Sequence, residues 1–324
     1  ARRSLLHSLR FEEGYGVDIG LLIGAARAGA RLAEVNIGSL ENDSQPLSDL
    51  TLMANEVSRV IYAHARQMGR LHVEQVMAMH EMQRQAAASL ELVLTRRRGR
   101  QRLLLLDMDG TLTEGRFVVD LARATGREER LRPLLDQPDD DAATRSRRIA
   151  ELFRFVHREE FERVARQTPL RPDAIVFINR MRRAGFMVGV LSDSWFVAAD
   201  ILRRRVFADF ALAHLLQFDN EVCTGELRLN PAFLDDSGHL ASVCKSHVLR
   251  RFRADTQPPR VRECWAIGDN LNDLGMLTAA DRPFVIQPRS PVLTGVPNVR
   301  VVSSFTELLE QVPQAAVEAP VSSA

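Results

Sequence analysis

The sequence has almost no lysine: of its 43 cationic side chains, every one is arginine except Lys245. An ammonium is a compact point charge and a guanidinium a wide planar fork, so the two do not replace each other in a tight site. A lone lysine in an arginine-biased chain therefore marks a place that needs an amine, against the plainer reading of chance survival. Cysteine is also scarce, and Cys223, Cys244 and Cys264 are too scattered for a disulfide framework or a metal cage. They read as small buried apolar side chains in a reducing compartment. No apolar run reaches the roughly 18 residues that a membrane span requires, and no signal-peptide layout opens the chain. The expected location is the cytoplasm. Excess charge is missing as well: 43 cationic and 42 acidic residues leave +1, which excludes a global field for nucleic acid or an anionic membrane.

What is present suffices for one large or two moderate domains: 324 residues, 45% of them hydrophobic. The chain opens on Ala1 with residues that read as a domain interior, which points to a truncated front end. Residues 1–95 carry helical spacing, notably from Val57-Ser58-Arg59-Val60-Ile61 through Met77, His80 and Met82 to about Leu94. The cluster Arg96-Arg97-Arg98-Gly99-Arg100-Gln101-Arg102 reads as a solvated linker over 96–102, or less simply as a contact for an acidic partner.

From Leu103 the pattern changes to short apolar runs separated by helical stretches: Leu103 to Leu106, Phe186 to Leu191, Val261 to Ile267 and Phe284 to Ile286. That alternation predicts an α/β fold, a Rossmann-like doubly wound parallel sheet with helices on both faces. An insert at about 117–167, rich in Arg, Asp and Glu, reads as a helical cap. Leu216 to Leu229, with Thr224-Gly225 near the middle, reads as a hairpin. The domain is expected to end near residue 312, with a frayed tail over 313–324.

The string Leu103-Leu104-Leu105-Leu106-Asp107-Met108-Asp109-Gly110-Thr111 sets two carboxylates just past the C-terminal end of a buried strand, where open α/β sheets bind ligands. Such close carboxylates repel unless a cation lies between them, and a hard divalent ion such as Mg²⁺ fits. Gly110 lets the backbone turn tightly there. Three later stretches add other chemical types. Ser192 follows the second strand and offers a hydroxyl to a phosphoryl oxygen, or else caps the next helix. Lys245 offers a point charge. Gly268-Asp269-Asn270-Leu271-Asn272-Asp273 follows the third strand with two more carboxylates.

Taken in order, Asp107-Met108-Asp109-Gly110-Thr111, Ser192, Lys245 and Gly268-Asp269-x-x-Asn272-Asp273 resemble the four motifs of the haloacid dehalogenase superfamily over about 103–312. The insert after the first motif looks most like the phosphoserine-phosphatase branch. The resemblance implies a Mg²⁺-dependent phosphomonoester hydrolase. In it Asp107 is the nucleophile and Asp109 the acid and base, while Asp107, the backbone carbonyl of Asp109 and Asp269 hold the ion. It further implies that Gly110, Thr111, Ser192, Lys245 and Asn272 bind phosphate, with Asp273 orienting Lys245 or a metal-bound water. A phosphotransferase, or a phosphatase fold kept only for docking, are the competing readings. The docking reading expects a damaged motif, and no metal or nucleophile position is damaged.

That branch carries a Glu nine residues after the nucleophile to meet the substrate's ammonium, and here the position is Arg116. The reversed sign argues against phosphoserine and for a substrate with an additional carboxylate, phosphate or hydroxyl array. Arg116 and, on the cap, Arg145, Arg147 and Arg148 are the candidates to meet it. Ser194 and Trp195 replace small glycines of that branch and reshape the pocket. A second resemblance lies in the front region. Phe11-Glu12-Glu13-Gly14-Tyr15-Gly16-Val17-Asp18-Ile19-Gly20-Leu21-Leu22-Ile23 and Glu34-Val35-Asn36-Ile37-Gly38 look like the tail of family 2 glycosyltransferases of the glucosyl- and mannosyl-3-phosphoglycerate synthase type. Near Glu41-Asn42-Asp43, where those enzymes often place a metal-binding His, this chain has Asn42, and the nucleotide-binding front is missing. The resemblance implies a fusion whose phosphatase acts on a glycosyl-3-phosphoglycerate or sugar phosphate. The expected partners are that small phosphomonoester and a glycosyltransferase domain or a second copy of the chain.

Overall fold

The computed structural model describes residues 3–9, 11–12, 14–33, 35, 47–68, 87–97, 99–135, 142–234, 243–256 and 260–312. The chain divides into two compact units, 1–85 and 86–324. The first contains helices α1 (Arg3–Ser8), α2 (Val17–Arg27) and α3 (Leu47–Gln67). Two of these pair because Gly16 leaves room for the Val60 side chain, while Arg27 reaches Gln67 at 2.9 Å and Glu56 accepts the Tyr15 amide at 2.7 Å. Most of Glu34 to Gly38, Glu41-Asn42-Asp43, the run from Met77 to Met82 and the tail after 312 lie outside the described residues. No described helix is long and apolar enough to cross a membrane.

The second unit begins with α4 (Leu90–Thr95), earlier than the sequence predicts, because Leu90 and Val93 are buried in its core. The arginine-rich stretch is accordingly not a solvated linker. Arg97 is buried against Asp255 at 3.2 Å, Arg100 meets Asp209 at 2.8 Å, and Arg102 starts the first strand and meets Glu263 at 3.2 Å. Opposite charges on the same unit form ion pairs with these guanidiniums, which composition alone does not reveal.

Seven strands form one sheet: β1 (Arg102–Asp107), β2 (Phe186–Trp195), β3 (Phe210–Asp219), β4 (Val222–Arg228), β5 (Glu263–Gly268), β6 (Arg282–Ile286) and β7 (Arg300–Val302). The order is β4-β3-β2-β1-β5-β6-β7, all parallel except the β3–β4 hairpin. Strand β1 reads as four consecutive leucines because both its faces are covered. Leu104 and Leu106 pack with Val188, Val190, Trp265 and Ile267 on one side, whereas Leu103 and Leu105 pack with Met187, Leu191, Cys264 and Ala266 on the other. Burying each leucine contributes about 1.5–3 kcal/mol, which about offsets the entropy of ordering its backbone and side chain. The hairpin turns at Asn220-Glu221, both at positive φ, rather than at Thr224-Gly225.

Between β1 and β2 lie α5 (Phe117–Ala124), α6 (Glu128–Leu135), α7 (Ala142–Leu152) and α8 (Arg158–Gln167), the helices of the insert read as a cap, followed by α9 (Ala174–Arg183). Trp195, at the end of β2, ties cap to sheet: its ring lies 5.3 Å from Phe153, 5.6 Å from Phe161 and 6.3 Å from Phe117. Backbone bonds from Phe155 to Cys223 and from Arg158 to Glu221, both 2.8 Å, stitch the cap to the hairpin as well.

Candidate active site

Strand register brings the motifs to one level. Asp107 pairs with Leu191 on β2, so Ser192 is the next residue beyond it; Leu106 pairs with Ile267 on β5, so Gly268 and Asp269 follow on the other side. Ser192 belongs to β2 itself, and its Oγ accepts the Ser194 amide at 3.0 Å; the helix that follows, α10 (Phe196–Arg205), is capped at Trp195. The helix-cap alternative for Ser192 is therefore overturned.

The chain's lone lysine opens α11 (Ser246–Ala254) as the residue before it and is completely buried. Its Nζ donates to Asp107 Oδ1 and, at 2.8 Å, to Asp273 Oδ1, with Asp193 Oδ2 at 3.9 Å. The other oxygen of Asp273 accepts the amides of Asp269 at 3.1 Å and Asn270 at 3.2 Å. Asp269 accepts from Thr111 Oγ1 at 3.1 Å, and its second oxygen forms an ion pair with Arg289 Nε at 2.8 Å. Gly110 needs to be glycine on two counts: its φ is +92°, and a Cβ there would strike the Asp269 carboxylate. Asp109 turns away from this cluster and accepts the Phe117 amide at 2.8 Å, at the start of α5.

Buried like charges set the electrostatics. Burial, and next the Asp273 charge, push the Asp107 carboxyl well above the usual carboxylate range, against the pull of Lys245. Asp269 is raised for the same two reasons, against Arg289. Burial raises Asp109 to about 6, opposed by its bond to the Phe117 amide. Burial alone would lower Lys245, but the attraction of Asp107 and Asp273 outweighs it and holds the ammonium well above its ordinary value.

This donor set fits a hard divalent cation. One oxygen each from Asp107, Asp269 and Asp273 lie within 4.8 Å of one another, and burial, followed by the charge of Asp273, holds up the other two carboxyls despite Lys245 and Arg289. Asp273 already accepts from an ammonium and two amides, so Asp107 and Asp269 are the side chains with capacity left for an ion.

A cavity of about 360 Å³ opens over the cluster, and Asp107, Asp109, Ser192, Asn272 and Asp193 all line it. Arg116 and Arg145 line it too, beside the apolar Val118, Leu135, Ile149 and Trp195. Arg148, expected as a specificity residue, does not: it lies exposed on α7 and is absent from the cavity lining, as is Arg147. Arg145, Ser146 and Ile149 are the residues by which α7 lines the cavity. Gly110, Thr111, Lys245, Asp269 and Asp273 are also outside the lining.

Sequence reasoning missed three residues. Asp193 accepts from Asn272 and faces Lys245, and its position directly after Ser192 was a usable signal. Arg171 donates twice to the Gly110 carbonyl, at 3.1 and 2.7 Å, and Arg289 pairs with Asp269. In so arginine-rich a chain, nothing local separates those two from the rest.

The sequence pattern of haloacid dehalogenase-like hydrolases matches residues 104–278, more than half of the chain. The chain is 30% identical over 184 residues to a phosphoserine phosphatase of Streptomyces coelicolor and 29% identical to phosphoserine phosphatase SerB2 of Mycobacterium tuberculosis, covering 56% of this chain and 42% of each relative. It thus spans about two fifths of the length of those relatives. A solved phospho-aspartyl intermediate analogue of phosphoserine phosphatase superposes with a TM-score of 0.56 at 19% identity, over 66% of this chain and 100% of that one, a likeness of fold. These findings lend no support to the glycosyltransferase resemblance of residues 1–95. Family pattern, fold and the order of the four motifs agree: the chain belongs to the haloacid dehalogenase-like hydrolases.

Proposed function

We propose that this chain hydrolyses a small phosphomonoester through an aspartyl-phosphate formed on Asp107. The observation that carries this reading is the buried Lys245 bridging Asp107 and Asp273, with Asp107, Asp109 and Ser192 lining one cavity. Lys245 holds the Asp107 carboxylate in one orientation for attack on phosphorus and supplies positive charge where phosphate oxygens gather. Asp109, held against the α5 amide and raised to about 6, keeps its proton to a higher pH than an ordinary carboxyl. It gives that proton to the departing alkoxide, then takes one from the water that cleaves the intermediate. Ser192 and Asn272 line the cavity where phosphoryl oxygens would be held, and Asp273 orients Lys245. When bound by Asp107, Asp269 and the Asp109 backbone carbonyl, Mg²⁺ would supply charge neutralisation for the transferring phosphoryl group.

Replacing Asp109 by Asn is expected to lower kcat/KM on alkyl phosphates, which reads the step up to departure of the alkoxide and not the later attack of water, by about 10²–10⁴-fold, the scale of general acid catalysis. The loss on p-nitrophenyl phosphate should be much smaller, because nitrophenolate leaves without a proton. Equal losses on both would remove Asp109 from the acid role.

The substrate we favour carries a second anion. Arg116 and Arg145 face the cavity beside an apolar wall, which suits a carboxylate on a body with hydrocarbon faces, such as a glycosyl-3-phosphoglycerate. The names of the curated relatives favour a second reading, phosphoserine. Steady-state kinetics on both compounds and on simple sugar phosphates decides between them. We expect Arg116→Glu to cut kcat/KM for the carboxylate-bearing substrate by about 10²-fold, the cost of exchanging a charge-assisted bond for repulsion. Phosphoserine as the best substrate, or an unchanged kcat/KM in Arg116→Glu, would defeat the argument from sign.

A further inference from the structure

Arg289 follows β6 beyond a sharp turn, with Gln287 at φ +46°, which sends the chain back over the motif loop. Two contacts hold it there. Its amide donates to the Asp269 carbonyl at 2.9 Å, and its Nε pairs with Asp269 Oδ2 at 2.8 Å. The guanidinium also lies over Gly110, since a Cβ on that residue would come within 2.6 Å of Nη2. The Asp269 contact is one of charge alone: Oδ2 is buried and has no hydrogen-bond partner, so its lone pairs are not saturated. The side chain is 37% exposed and can swing toward solvent while the amide bond keeps the backbone in place.

We infer that Arg289 is a built-in counterion that takes the place of the divalent cation at Asp269 and thereby sets how tightly the site binds metal. The inference rests on the metal reading of the proposed function. Of three buried carboxylates, Asp107 and Asp273 share one buried ammonium, Lys245, and Asp269 pairs with Arg289 instead. Without a metal ion, Arg289 supplies the second positive charge and keeps the cluster folded. When an ion arrives, that same charge opposes it and must move aside. Binding of the ion is thereby coupled to movement of a surface arginine outside the four motifs.

Calorimetric titration of MgCl₂ into the metal-stripped full chain, with thermal unfolding in EDTA alongside, tests this. Arg289→Met, which keeps the stem and removes the charge, is expected to bind Mg²⁺ more tightly by about fivefold or more, the scale of one unit charge at about 4 Å in a water-like dielectric. Its metal-free form should melt at a lower temperature than the wild type, and its stabilisation by Mg²⁺ should be larger. Arg289→Lys, which keeps the charge, should stay near the wild-type affinity. If Arg289→Met does not fold, Arg289→Gln takes its place in the comparison. A wild type that binds Mg²⁺ beside a neutral variant that binds it equally or more weakly overturns the inference for Arg289 and leaves the metal reading standing. A wild type that binds no Mg²⁺ overturns both.

Discussion

Asp107→Asn is expected to abolish turnover, with a loss on the order of 10⁴-fold or more, the scale seen when a nucleophile is removed from an otherwise intact site. The amide is nearly isosteric, so Lys245 retains one oxygen to donate to and the fold survives. A hydroxylamine-labile phosphate should appear on the wild type after mixing with radiolabelled substrate, and the variant should show none. Residual activity above a few per cent, or labelling of the variant, would move the nucleophile elsewhere. The same variant separates an enzyme from a docking module, because a phosphatase fold kept for docking would bind its partner and support its cellular role without Asp107.

Lys245→Ala should damage stability and activity together. Removing the ammonium leaves Asp107 and Asp273 facing each other inside the protein, and breaking a buried pair in this way costs about 3–5 kcal/mol. The effect depends on pH with a definite sign. Asp107 is already raised by burial and by Asp273, and loss of Lys245 raises it further. A carboxyl whose folded pKa lies above its unfolded value binds its proton more tightly when folded, so it adds stability at low pH that is lost as pH rises. Urea unfolding should therefore find the gap between variant and wild type wider at pH 8 than at pH 5. Lys245→Arg should not restore activity, since no planar fork fits where one nitrogen meets two carboxylates from different elements. A fully active, stable Lys245→Arg would refute the argument drawn from the chain's single lysine.

The motif positions were legible because chemistry leaves local marks. Four buried leucines ending in Asp-x-Asp-Gly can be read as a strand and its ligand-binding end, since a central parallel strand needs apolar residues on both faces. The cap was legible as a helical insert. Its pocket was not. Arg148 and Arg145 look alike in sequence, and the orientation of α7 against the cavity separates them. The arginine-rich stretch before β1 looks like a linker, because its partners Asp209, Asp255 and Glu263 lie more than a hundred residues away.

Read alone, the residues determined the chemical inventory: which carboxylates, which hydroxyl and which ammonium the chain can offer, in what order, at the ends of which strands. That information is local, held in strand patterning and in the one lysine. Only the tertiary structure decided how the inventory is wired. Parallel register sets Asp107, Ser192 and Asp269 at one level, Asp273 spends its oxygens on Lys245 and two amides, and Asp193, Arg171 and Arg289 arrive at the site without a motif to announce them. Charges of this kind interact through space over a few ångströms, and distance along the chain carries no record of which of so many arginines will come that close.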